Sequence, residues 1–477
     1  MNSQKIFISY AYILMLVAFS FFTFLFFKSF FIDGNVQSGY IYIYLSFLIL
    51  TFIYLNKTSD LLNPVLINIA LAIFWLIITS LSILLENISS HRDVLIYQYN
   101  SIDYAVAKYY LLSIFYFIVV LYVYKKTPDS LVFFKGRRKQ NLLLKKSTFI
   151  IVSLFWLVVG LLAFYIYVKI AGGLGEALTQ RSLSREHRVS AEIGAHYNFI
   201  MKSVFLAPLT WYIFDKSAIR SPFFWFLFLF TVLLGFFVSG SRGGFLIILF
   251  LFFMVYYIHE RTVPVTKLII LSLVAIILIG YMSSNRSTKL EDHQNYTFTD
   301  YIHISIEGVS HTFLEASRRG SESSGAIGLF ANVPDRLDYQ YGKTYLSVPF
   351  VFIPSAILPF EKPSAAGYHY VNQLTGRTDT AWPIGPLAEA YWNFSYLGVL
   401  VLAIVVGFFY KLAYNTMIYN NFSPVSIVIF LAIVFRFSFG SDELYSFFHF
   451  IVFSLLVYFS YIFINKFKIN FSTRNFR

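Results

Sequence analysis

The sequence predicts an all-α polytopic membrane protein of about twelve membrane helices with a large outward-facing loop, and three observations predict it. The 477 residues are 58% hydrophobic and only 13% charged, whereas soluble globular domains carry about 45–50% apolar and about 25% charged residues. The apolar residues gather in runs on the scale of a bilayer crossing, and one strongly basic segment orients those runs. So little polar surface does not coat a water-soluble body of this size.

A membrane helix needs roughly 17–25 mostly apolar residues. The candidate runs are 7–27, 40–55, 64–85, 106–124, 148–168, 198–214, 222–238, 244–258, 267–283, 397–413, 425–440 and 444–464. Lys5 precedes the first run, which is longer than a signal peptide's apolar core and is followed by no small-residue cleavage site, so an uncleaved membrane helix is expected. Only Lys202 and Arg436 stand clearly inside predicted spans. No internal repeat or low-complexity linker interrupts the pattern.

Segment 125–147 holds Lys125, Lys126, Lys135, Arg137, Arg138, Lys139, Lys145 and Lys146 against a single Asp129, which places it in the cytoplasm. Counting outward from it puts both termini inside, and the tail agrees with Lys466, Lys468, Arg474 and Arg477. The resulting organisation is helices 1–5 over 1–168, a first outer loop over 169–197 and helices 6–9 over 198–283. A large outer loop over 284–396 follows, then helices 10–12 and the cytoplasmic tail over 397–477. Absence of cysteine excludes disulfides, thiolate metal sites and cysteine nucleophiles. The net charge of +13 follows this topology, so no nucleic acid is expected as a partner.

Outer loops normally lack cations, so outer arginines need a reason. After Gly172-Gly173-Leu174-Gly175, residues 176–197 read as a helix on which Arg181, Arg185 and Arg188 project within roughly 60° of one another. Stacked like charges weaken a helix unless an anion lies nearby. A lipid-linked pyrophosphate suits their planar forks, and a solvated face partnered by Glu186 and Glu192 is the alternative. Arg242, in Ser239-Gly240-Ser241-Arg242-Gly243-Gly244 between two apolar runs, sits where a helix N-terminus and open backbone N–H groups would cradle an anion. A tight turn whose arginine reaches the headgroups is the plainer reading.

In the large loop His303, Glu307, His311, Glu315 and Arg319 recur every fourth residue. That spacing is met by a metal site but equally by a solvated helix, and no metal is expected. Further on, Tyr341-Gly342, Gly367-Tyr368-His369-Tyr370, Arg377, Asp379, Trp382-Pro383-Ile384-Gly385-Pro386 and Glu389 keep aromatics dense among glycines and prolines. Such a segment is too long and apolar for a linker. Aromatic faces beside carboxylates suit sugar rings.

Tyr341-Gly342-Lys343-Thr344-Tyr345, Phe352-Ile353-Pro354, Lys362-Pro363 and the stretch from Glu389 to Gly398 before a membrane helix together resemble Wzy-type O-antigen and capsular repeat-unit polymerases. The Ser241-Arg242-Gly243 turn resembles the wider superfamily, which includes the O-antigen ligases. The similarity covers about residues 170–410, with departures at Ser355, where the family commonly has Arg, and Ser395, where it often has Gly.

The resemblance implies a GT-C-like, metal-independent glycosyltransferase of the cytoplasmic (inner) membrane, needing no cofactor. Its implied partners are undecaprenyl-diphosphate-linked oligosaccharides as donor and acceptor, membrane lipids and a chain-length regulator. The chemistry requires cations for the leaving diphosphate and a base for the acceptor hydroxyl. Arg181, Arg185, Arg188 and Arg242, with Arg319 and Arg377 in reserve, are the candidate cations, and His369, Glu389 and Asp379 the candidate bases. A ligase uses the same donor with another acceptor. A flippase, the rival of another class, would carry charges along many helices and only short loops.

Overall fold

The computed structural model describes residues 2–34, 36–58, 60–86, 102–135, 146–170, 172–173, 206–239, 242–262, 322–350, 353, 358–360, 364, 366–377, 381–436 and 438–466. Among them there is no strand. The long helices are α1 (Asn2–Phe27), α2 (Val36–Thr58), α3 (Pro64–Glu86), α4 (Ile102–Lys126) and α5 (Lys146–Ile170). Then come α6 (Leu206–Phe214), α7 (Pro222–Ser239), α8 (Arg242–Glu260), α9 (Glu322–Asn332) and α10 (Ala366–Thr375). The chain continues with α11 (Gly385–Tyr419), α12 (Pro424–Arg436) and α13 (Ser441–Lys466). The predicted runs overlap these helices except 267–283, which lies outside the described residues; of 198–214 only 206–214 is described, and the helix in 425–440 ends at Arg436. Among the described residues five segments are long and apolar enough to cross a membrane: Met15–Ile32, Ser38–Asn56, Asp103–Lys126, Thr148–Ile170 and Gly385–Tyr419. The protein is a helical membrane protein.

Two compact units divide the chain. The first comprises Met1–Phe134, Ser310–Tyr419 and Ile433–Tyr445. Its first two helices pack through aromatic rings, with Phe22 stacked on Tyr42 at 6.3 Å, and α2 meets α4 through Tyr44 and Tyr110 at 5.4 Å. Helices α4 and α11 run parallel. At their starts Lys108 touches Tyr391, and toward their ends Tyr124 lies 6.4 Å from Tyr414. Gly407 permits this contact, since a Cβ there would lie 2.7 Å from the Val120 carbonyl oxygen. Without a hydrophobic drive between membrane helices, such close backbone approach supplies the packing. Beyond α4, residues 127–134 fold back onto α11. Asn415 Nδ2 donates to the carbonyls of Pro128 and Leu131, and Thr416 Oγ1 accepts from the Phe133 N–H.

The second unit comprises Lys135–Val309, Asn420–Ala432 and Ser446–Arg477. Its described core is aromatic. Phe149 of α5 stacks on Trp211 of α6, and Tyr212 packs on Phe252 at 5.3 Å. Phe228 of α7 meets Phe252 of α8 at 4.6 Å. Asp215 ends α6 and caps the short turn Lys216–Arg220 by accepting from the Ser217 N–H at 2.9 Å.

Within the first unit, the described part of the predicted large loop is structured. A cluster of buried side chains including Leu329, Phe330, Tyr370, Tyr391 and Trp392 packs α9 and α10 against α11. Segment 381–384 threads between them over two glycines. A Cβ on Gly325 would strike the Pro383 carbonyl, and one on Gly367 would lie 2.5 Å from that of Trp382. Residues 385–393, expected to be loop, are helical and are separated from the span that follows by a kink at Phe394 and Ser395.

Candidate functional site

The site is built where α11 breaks. Phe394 and Ser395 leave helical geometry, Ser395 with φ +56° and ψ −145°, a region essentially reserved for glycine that costs about 1–3 kcal/mol. The break frees carbonyls that an unbroken helix would use. The N–H groups of Gln340 and Tyr341 donate to the carbonyls of Trp392 at 3.0 Å and Asn393 at 3.2 Å. Gly398 lets the two halves approach, since a Cβ there would collide with the Ala390 carbonyl. The resembling words Tyr341-Gly342 and Glu389–Gly398 thus meet in space, for a backbone reason.

Side chains complete the tie. Asn393, fully buried, accepts from the Gly342 N–H at 2.8 Å through Oδ1. Its Nδ2 donates to Thr344 Oγ1 and to the Glu389 carbonyl, both at 2.8 Å. Gly342 can offer that N–H because its φ of +90° suits a residue lacking a Cβ. Glu389, 2% exposed, accepts from the Thr344 hydroxyl at 2.7 Å and from the Ser441 N–H, first residue of α13, at 2.8 Å. Ser441 Oγ in turn accepts from the Ala366 N–H. One carboxyl group therefore joins three segments, at a helix N-terminus that favours negative charge.

His369 lies beside Trp392, its ring 5.4 Å from the indole. Gln340 Nε2 donates to the Asp338 carbonyl, which only accepts, so its Oε1 faces His369 Nε2 at 2.8 Å. That contact assigns the imidazole proton to Nε2. Gln373 Nε2 also lies 3.2 Å from this nitrogen, but the shorter contact decides the tautomer. Nδ1 keeps its lone pair with no partner among the described residues. Burial first, and the Lys343 charge second, hold the imidazole below its ordinary 6.5. His369 is thus neutral at neutral pH with an acceptor nitrogen available.

A cation that sequence reasoning passed over stands on the other flank. Lys108, near the start of α4, donates to the Tyr391 hydroxyl at 2.5 Å and lies 4.3 Å above that ring. The rings of Tyr104, Tyr396 and Phe330 surround it at 5.6–5.8 Å. Among the described residues it has no carboxylate within ion-pair distance. Its signal was present in the sequence as a lysine two positions into the apolar run 106–124, and intramembrane cations mark functional sites.

Of the predicted residues, the structure brings His369 and Glu389 to one tied segment, His369 through Gln340 and Glu389 through Thr344. Arg377 follows α10 and is exposed, its N–H donating to Thr375 Oγ1. Arg242 opens α8, and its side chain is outside what is described. Arg181, Arg185, Arg188, Arg319 and Asp379 lie outside the described residues, as does the row His303, Glu307, His311 and Glu315. Among the described residues no group of three His, Asp or Glu could hold a metal. No family model, curated protein or solved structure matches this chain.

Proposed function

We propose that this chain is a membrane glycosyltransferase that polymerises undecaprenyl-diphosphate-linked repeat units into O-antigen or capsular polysaccharide at the outer face of the cytoplasmic membrane. The observation that carries the reading is His369. A neutral imidazole with an open Nδ1, set beside aromatic faces, is what deprotonating a sugar hydroxyl requires. Glu389 is the weaker base, because both its oxygens already accept hydrogen bonds inside the tie. Its role in this reading is to hold Thr344 and α13 so that the loop keeps its shape.

The twelve-span GT-C-like topology belongs to the same proposal. Two parallel spans need an odd number of crossings between them, and five runs are predicted between α4 and α11. In this reading the start of both helices, and with it His369, lies on the side opposite the basic segment after α4. The arginines at 181, 185, 188, 242, 319 and 377 are assigned to the departing diphosphate on charge and spacing.

Reconstitution of the full chain with a defined lipid-linked repeat unit tests the reading by ladder formation. His369→Gln should reduce chain growth by about 10²–10⁴-fold at unchanged protein level. Normal ladders from this variant would remove His369 as the base. In cells, loss of the protein should leave lipid A-core or carrier bearing a single repeat unit. Full-length polymer accumulating on the carrier would indicate a ligase, and repeat units trapped facing the cytoplasm a flippase.

A further inference from the structure

The hydroxyls beside Lys108 form a directed chain. Lysine only donates, so Tyr391 Oη accepts and its own hydrogen is turned toward Tyr339 Oη at 3.3 Å. Tyr339 then donates to Ser395 Oγ at 3.2 Å. The Ser395 hydroxyl hydrogen has no acceptor among the described residues, and neither have the two remaining Lys108 N–H groups. Both ends of the chain therefore present spare donors, and among the described residues the cation feels the charge of Asp335 but has no acid within ion-pair distance. Ser395 holds its place in a backbone conformation that disfavours any residue with a Cβ.

The surroundings name the class of ligand. Tyr104, at the start of one candidate span, and Tyr396, just past the break in the other, are both largely exposed and flank Lys108, and tyrosines settle at headgroup level. From there α4 exposes Leu111, Phe115 and Ile118, and α11 exposes Leu397, Val401 and Ile404. Both sets follow 3- and 4-residue spacing, so each forms an apolar stripe down one helix face. A cation with spare donors at the top of two apolar stripes fits an amphipathic anion better than a free one.

We propose that Lys108 and Ser395, set by Tyr391 and Tyr339, bind the phosphate of a membrane lipid whose chains lie along α4 and α11. The proposal needs the chain to span a membrane but not to be a polymerase. It is tested with the full-length protein in phosphatidylcholine nanodiscs, by competing a fluorescent phosphatidylglycerol against farnesyl phosphate, unlabelled phosphatidylglycerol and inorganic phosphate. Lys108→Met should weaken lipid-phosphate retention roughly tenfold, since a charge-assisted hydrogen bond is lost. Lys108→Arg should retain it, and Ser395→Ala should weaken it by about threefold.

Preferential displacement by farnesyl phosphate identifies an isoprenoid carrier, and by phosphatidylglycerol a resident phospholipid; either supports the site. Wild-type retention by Lys108→Met, or displacement by inorganic phosphate as effective as by the lipids, overturns it. Should Lys108→Met not fold, unchanged retention by Ser395→Ala overturns it instead. Ladder formation is read separately, so a chain that binds lipid phosphate through Lys108 without making polymer would sink only the polymerase reading.

Discussion

The two ends of the parallel α4–α11 pair solve the same problem with opposite chemistry. At the far end Lys411 pairs with Asp129 at 2.5 Å, and that carboxylate is 89% exposed. Aromatic rings face the cation at both ends, but at the near end Lys108 bonds to a phenol and, among the described residues, has no carboxylate within ion-pair distance. Loops are pinned at both ends, by Asn415 and Thr416 at one and by Asn393 and Glu389 at the other. The lesson lies in what is left over. The far end spends its cation on anchorage, whereas the near end anchors with buried neutral and carboxyl groups and leaves its cation and an imidazole nitrogen unspent.

The sharpest way to break this comparison is to remove the buried tie. Glu389→Ala strands the Ser441 N–H and the Thr344 hydroxyl, and should cost about 3 kcal/mol or more. Thermal unfolding in detergent and the yield of inserted protein would show it. A variant of normal stability without chain growth would instead make Glu389 a chemical participant. Gly398→Ala acts on the same end by collision with the Ala390 carbonyl and should cost about 1–3 kcal/mol, read in the same melt.

The imidazole gives a pH test. Because the folded state holds His369 below its ordinary 6.5, its contribution to stability is complete above that value and is lost as pH falls through the lower folded one. The acid limb of chain growth should therefore lie below pH 6.5. Lys343→Ala removes a depressing charge and should move that limb upward. A limb that stays in place, in a profile of rate against pH, would disconnect His369 from the reaction.

Ser395→Gly should raise stability by about 1 kcal/mol, as relief of backbone strain outweighs one lost hydrogen bond to Tyr339. Lys411→Ala at the far end should change it by under about 1 kcal/mol, because an ion pair with so exposed a partner is screened. If Lys411→Ala proved as damaging as Glu389→Ala, the contrast between the ends would fail.

Much of the site was readable from residues, and the rest was hidden for a physical reason. His369 and Glu389 were legible as titratable groups among aromatics, yet nothing in their spacing separates an imidazole with an open nitrogen from a carboxyl group spent on two donors. Ser395 was visible only as a serine where its resembling family often has glycine. The positive φ at Ser395 shows only when α11 is seen to break there. Lys108 escaped because a lysine at the edge of an apolar run reads as a flanking charge until the helix is seen to include Ile102–Lys126.

The sequence by itself determined the solvent and the helical class of this protein. Runs of apolar residues commit the backbone to helices, because a bilayer offers its N–H and C=O groups no other partner. Only the tertiary structure decided which polar groups are spent and which are spare. That depends on residues far apart in the chain, such as Lys108 with Tyr391 or Glu389 with Ser441, and hydrogen-bond geometry between them has no local signature.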